Sequence, residues 1–185
     1  MVSLKLARSS RRFRINTWVA VALLAAFAAY VFTLTQMQHT TERTYAELRT
    51  KDPDLYLAKI RQAEGFRTYL KQFTVMKGYA TPQTEAPAFL IGRWVLYDEP
   101  MRVDDAYVPP ICLDDIVIQD GNIRTGRPKR ASYPVRYEIQ DEKVLALREN
   151  APPIVVVPVG YGTHVNHIEV KLPGSDKTRY GYQCK

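Results

Sequence analysis

The chain has 185 residues and a formal charge of +7, room for one membrane segment and one ordinary domain. The charge is uneven: Lys5, Arg8, Arg11, Arg12 and Arg14 give +5 before any acidic residue, the first of which is Glu42, so 7 − 5 = +2 is left for the rest. A protein reading nucleic acid through phosphates needs cations clustered on its folded part, and that composition excludes such a class here.

Residues 1–14 form the basic start. Residues 15–36 follow as an uncharged run, INTWVAVALLAAFAAYVFTLTQ. As a helix, its first 21 residues rise about 31 Å, matching a hydrocarbon core of ~30 Å, and a lone span in lipid must be helical to satisfy its own backbone. Trp18 and Tyr30 lie toward the two ends, where amphipathic rings favour the interface. The cations precede the span, so the positive-inside rule expects a cytoplasmic N-terminus in the inner (cell) membrane. The remainder is then expected on the periplasmic or extracellular side. A cleavable signal is the rival reading, with Ala26-Phe27-Ala28 as its small-x-small site. The apolar run continues through Tyr30, Val31, Phe32 and Leu34, longer than a signal core needs. Ala22/Ala26 and Ala25/Ala29 have small-xxx-small spacing, which ordinary alanine usage also explains.

Residues 37–81 read as a juxtamembrane region of short helices. Thr44 and Glu47 have capping-box spacing, and Asp52-Pro53 is a second helix start, since Asp accepts orphan N–H groups and Pro suits the first helical position. Tyr56, Leu57, Ile60 and Ala63 form one apolar stripe, and Phe66, Tyr69, Leu70 and Phe73 form another, with Gly65 expected to break the helix between them. The aromatic stripe is a candidate partner face, or else core packed on the domain behind it.

Residues 82–88 are a linker, and 89–185 change to a period of two. Strands are expected at Phe89–Asp98, Ile111–Gln119, Tyr133–Ile139, Lys143–Arg148, Ile154–Val159, His164–Leu172 and Arg179–Cys184. Asp120-Gly121-Asn122, Asp141-Glu142 and Pro173–Asp176 supply turns. About seven to eight antiparallel strands predict a barrel or a sandwich, so the fold class is one transmembrane helix plus an α+β extracytoplasmic domain. The valine-rich Ile154–Val159 reads as buried on both faces. Alternation puts Ile168, Val170 and Leu172, and likewise Tyr180, Tyr182 and Cys184, toward the interior. Val165, His167, Glu169 and Lys171 should face solvent or a covering helix.

Gly92-Arg93-Trp94 resembles the first-strand G-x-W motif of the lipocalin-like (calycin) barrels. The resemblance implies a small barrel over Phe89–Lys185, with Gly92 allowing close packing and Trp94 closing the floor. It also implies an arginine late in the barrel against that tryptophan, a place Arg179 could take, and an interior able to hold an apolar ligand beside Trp94, Tyr180 and Tyr182.

Cys112 and Cys184 are the only cysteines; both fall in expected strands, and export would allow them to bridge. His164 and His167 point to opposite faces of a strand and cannot readily share an ion; no other residues complete a metal or cofactor set. Asp104-Asp105 and Asp114-Asp115 read as solvated charges. Arg124, Arg127, Lys129 and Arg130 form the one basic cluster, in a loop that could meet an acidic partner or anionic headgroups. No nucleophile elbow, phosphate loop or dinucleotide fingerprint appears. The sequence therefore points to a membrane-held, non-enzymatic module contacting a protein partner in the envelope. A lipocalin-like binder of an apolar ligand or lipid is the alternative.

Overall fold

Helix α1 runs unbroken from Leu4 to Lys51. The structure is a computed structural model describing residues 4–101, 109, 111–112, 115–126 and 130–184, with side chains from residue 18 onward. The chain divides into two compact units, Met1–Asp52 and Pro53–Lys185.

In the first unit, the 48 residues of α1 rise about 72 Å, more than twice a hydrocarbon core. It is the one helix among the described residues long and apolar enough to cross a membrane. Its large apolar side chains are open, Trp18 at 73 % and Phe27 at 65 % exposure. The threonines inside it return their hydroxyls to the helix: Thr33 donates to the carbonyl of Ala29 and Thr35 to that of Val31, at 2.8 and 2.9 Å, so neither carries an unmet donor into apolar surroundings. The helix start expected at Thr44 is absent. Thr44 is not a cap but sits mid-helix, its hydroxyl bonded to the carbonyl of Thr40 at 2.9 Å. Without a glycine or proline between Gln36 and Lys51, nothing stops the helix until Asp52-Pro53.

The second unit begins with α2 (Pro53–Met76). Gly65 interrupts it at φ 83, ψ 178, as expected from its place between the two stripes, and a side chain would be strained there. Nine strands follow among the described residues, β1 (Gly92–Tyr97), β2 (Ile116–Gln119), β3 (Asn122–Thr125), β4 (Ala131–Pro134), β5 (Arg136–Gln140), β6 (Lys143–Arg148), β7 (Ala151–Tyr161), β8 (His164–Lys171) and β9 (Arg179–Gln183). They form one antiparallel, nearly closed barrel-like sheet in the order β4-β3-β2-β1-β9-β8-β7-β6-β5. The count exceeds the expected seven to eight because β3 is a strand in its own right, and because the run Tyr133–Ile139 bends at Val135 into β4 and β5.

Register shows which residues share a face. Trp94 lies opposite Ile116, Leu96 opposite Gly181, Gly181 opposite Ile168, and Val170 opposite Val156. Continuing across β6 and β5, Val156 lies opposite Val144 and Val144 opposite Ile139. These residues, with Ile118, Ile123, Tyr137, Ala146 and Ile154, are all buried and form the interior. Each large aliphatic withdrawn from water contributes about 1.5–3 kcal/mol before entropy is subtracted. β7 is not buried on both faces: Ile154, Val156 and Pro158 are buried, while Val155, Val157 and Val159 are half-buried.

The gap between β5 and the β2–β3 turn is filled by the segment after α2. Ile139 donates its backbone N–H to Tyr79, Gln83 and Tyr137 exchange bonds at 2.7 and 2.8 Å, and Gly121 donates to Thr84 at 2.7 Å. The Tyr137 hydroxyl crosses the same gap to the carbonyl of Gln119 at 2.6 Å. Residues 79–84, read from sequence as helix end and linker, are therefore part of the wall. Phe66 of α2 donates its N–H to Gly162 in the β7–β8 turn, and its ring passes over Gly160, where a Cβ would lie 2.6 Å from that of Phe66.

Candidate functional site

Trp94 is fully buried on the inner face, its indole N–H donating to the carbonyl of Leu90 at 2.9 Å. Gly92 precedes it at φ 142, with a Cβ position only 2.9 Å from the Gln183 side chain. Both features agree with the role the motif implies. Arg179 does not stack on Trp94: it pairs with Asp98 at 3.0 Å and donates to the carbonyl of Leu96 at 3.2 Å.

Tyr180 and Tyr182 do not join Trp94. Val95 lies opposite Tyr182 and Tyr97 opposite Tyr180, while Trp94 lies opposite Gln183. The two tyrosines therefore occupy the outer face, and the inner place between them belongs to Gly181. Alternation failed here because the inward residue is the one without a side chain. Tyr182 is nonetheless fully buried, with its hydroxyl accepting from Met101 N–H at 2.8 Å and its ring stacked on His167, centroids 5.4 Å apart. His167 is likewise buried rather than solvent-facing; burial lowers its pKa below the ordinary histidine value, with Glu169 opposing. His164 is exposed, its Nδ1 2.9 Å from the Thr163 hydroxyl.

Cys112 and Cys184 are bonded to each other, Cα atoms 5.7 Å apart. Cys112 precedes β2 and Cys184 follows β9, so neither lies within a strand as expected. The bridge and the Tyr182–Met101 bonds tie both ends of the β1–β2 connection to the outer face of β9.

The aromatic stripe offered as a partner face is core. Phe66, Tyr69, Leu70 and Phe73 are 2–8 % exposed. Phe66 and Phe73 each meet the ring of Phe89 edge-on, at centroid distances of 5.4 Å, and Phe73 stacks on Tyr79 at 5.2 Å. The chain's own wall occupies that face.

Several clefts open among the described residues. One of about 500 Å³ is lined by Arg67, Lys71, Asp141 and Glu142 over Leu70 and Ile139. Its charges neutralise one another: Glu142 meets Arg67 at 2.8 Å and Lys71 at 3.4 Å, and the Arg67 hydrogen bond holds the Glu142 carboxyl below its ordinary pKa. A second, of about 540 Å³, includes Arg124, Arg130 and Ser132; Arg124 donates to the Gln119 side chain at 3.0 Å, and Arg127 and Lys129 lie outside the described residues. A cleft of about 300 Å³ lies by Phe73, Lys77 and Asp120, and one of about 450 Å³ lies where Phe66 crosses Gly160. None is lined by Trp94, Tyr180 or Tyr182. Asp104, Asp105 and Asp114 also lie outside the described residues; Asp115 accepts the N–H of Leu96 at 3.0 Å, a bond that pins β1 rather than a solvated charge. Comparison with protein-family models, with curated proteins and with solved structures finds no match to this chain.

Proposed function

We propose that this protein is a membrane-anchored, non-enzymatic module whose barrel-like unit works on the extracytoplasmic side by contact with other envelope proteins. The observation that carries the reading is α1: apolar and open from Trp18 to Leu34, then continuing as a largely exposed polar helix to Lys51. A side chain such as Phe27 at 65 % exposure is stable in that position in lipid and costly in water. The five cations at the N-terminus orient it with that end in the cytosol. The Cys112–Cys184 bridge suits the oxidising compartment this orientation gives.

The calycin likeness draws support from the buried Trp94, the φ of Gly92 and the near-closed sheet, and loses some to the Asp98 pairing of Arg179. An apolar-ligand role draws no support from the register, which separates Trp94 from both tyrosines.

The test is topology in intact cells, using a protease or an amine-reactive probe confined to one side, with the labelled lysines located by mass spectrometry. Cleavage or labelling beyond Lys51 from outside the cytosol is the expected result. Access to that region from the cytosol alone would refute the orientation. Mild detergent extraction with crosslinking then reads the contact: a chain recovered with no protein attached would remove the second half of the reading.

A further inference from the structure

The outer face of β5–β8 has a pattern that the fold itself does not use. An open face of an antiparallel sheet is ordinarily polar where water meets it. Here the middle strands present Leu145, Leu147, Val155 and Val157, all half-buried, with Lys143 among them, and Glu138, Glu169 and Lys171 stand at the sides. Register orders them into rows. One row reads Glu138–Leu145–Val155–Lys171 across β5, β6, β7 and β8. The neighbouring row holds the pairs Gln140–Lys143 of β5 and β6 and Val157–Glu169 of β7 and β8.

We infer that this face pairs with the same face of a second copy of the chain, about a two-fold axis parallel to the strands and lying between β6 and β7. That operation keeps each row opposite itself and reverses its order. Glu138 then stands over Lys171 of the other copy, and Lys171 over its Glu138, with Leu145 and Val155 facing each other between them. In the neighbouring row Gln140 meets Glu169, and Lys143 comes beside the same carboxylate over Val157. Each row is about 14 Å wide at ~4.8 Å per strand, and two such faces pack about 10 Å apart. The alternative axis, across the strands, would set Glu138 against Glu138 and Lys171 against Lys171, which like-charge repulsion disfavours. The charge order thus selects both the occupant and the symmetry, an isologous pair. This rests on the reading of a membrane-held contact module and names one partner for it.

The test uses the full chain in its membrane, with a photo-crosslinking residue in place of Val157 and, as a control, in place of the exposed Lys177. A self-adduct from position 157 and none from 177 is expected. Glu138→Lys or Lys171→Glu alone should lower the adduct about 5-fold, and the two together should restore it, which also shows that the single variants fold. A self-adduct indifferent to these charges overturns the proposed pairing. Adducts from position 157 to a different protein only overturn the second copy as occupant but leave the contact module standing. No adduct to any protein, with crosslinking of the extracted complex also negative, removes both.

Discussion

Two tryptophans in this chain meet opposite fates: Trp18 is 73 % exposed on α1 and Trp94 is wholly enclosed in the barrel. Both sit in apolar stretches of similar appearance. From Trp18 to Phe32 the run is apolar at every position, and a helix with no polar side has nowhere to turn toward water. Trp94 belongs to a strand of period two whose alternate residues close an interior against Ile116. Periodicity, more than hydrophobicity, separates the segment that needs lipid from the one that makes its own apolar surroundings.

Substitutions sharpen that contrast. Trp94→Ala should cost about 3–5 kcal/mol of unfolding free energy in the barrel unit, seen as a lower denaturant midpoint, while Trp18→Ala should leave the midpoint unchanged. Equal losses would contradict the division into two units. Removing the Cys112–Cys184 bridge, which spans 72 residues, should cost about 4 kcal/mol in the chain-entropy picture, measured by unfolding with and without reductant. Gly160→Ala should cost about 1–3 kcal/mol, because its Cβ meets Phe66 at 2.6 Å; a neutral result would show that α2 can slide.

The smallest expected effect concerns pH. Burial depresses the His167 pKa, so below its ordinary value of about 6.5 the unfolded chain binds a proton that the folded chain does not. Stability from this residue is therefore full above that pH and is lost as pH falls through the lower folded value. His167→Phe should flatten this part of the stability profile, and an unchanged slope would assign it to other groups.

Much of the architecture was legible in the sequence. Asp52-Pro53 restarts the helix, Gly65 interrupts it, and the alternation from Lys143 to Arg148 matches β6 residue for residue. One failure is local, and the others depend on a neighbour remote in sequence. Thr44 and Glu47 have cap spacing, yet a helix already in progress uses the hydroxyl internally. Tyr180 and Tyr182 alternate as an inner pair would, yet their place opposite Val95 and Tyr97 puts them outside. The pair Cys112 and Cys184 was found because it required only counting and compartment; the burial of Tyr182 beneath Met101 required the fold. The valine-rich composition of β7 suggests burial on both faces, yet its outer valines are only half-buried.

Residues 79–84 leave one more mark on this protein. Because the stretch leading out of α2 bonds to Tyr137, Ile139 and Gly121, the last opening in the sheet is sealed by chain that comes before the first strand. A fragment starting at Pro87 would retain all nine strands but leave the free side of β5 bare, a template for strand addition by any neighbouring molecule. The stretch 79–84 thus guards the fold against aggregation, and trimming back to the sheet alone should leave a unit prone to self-assembly.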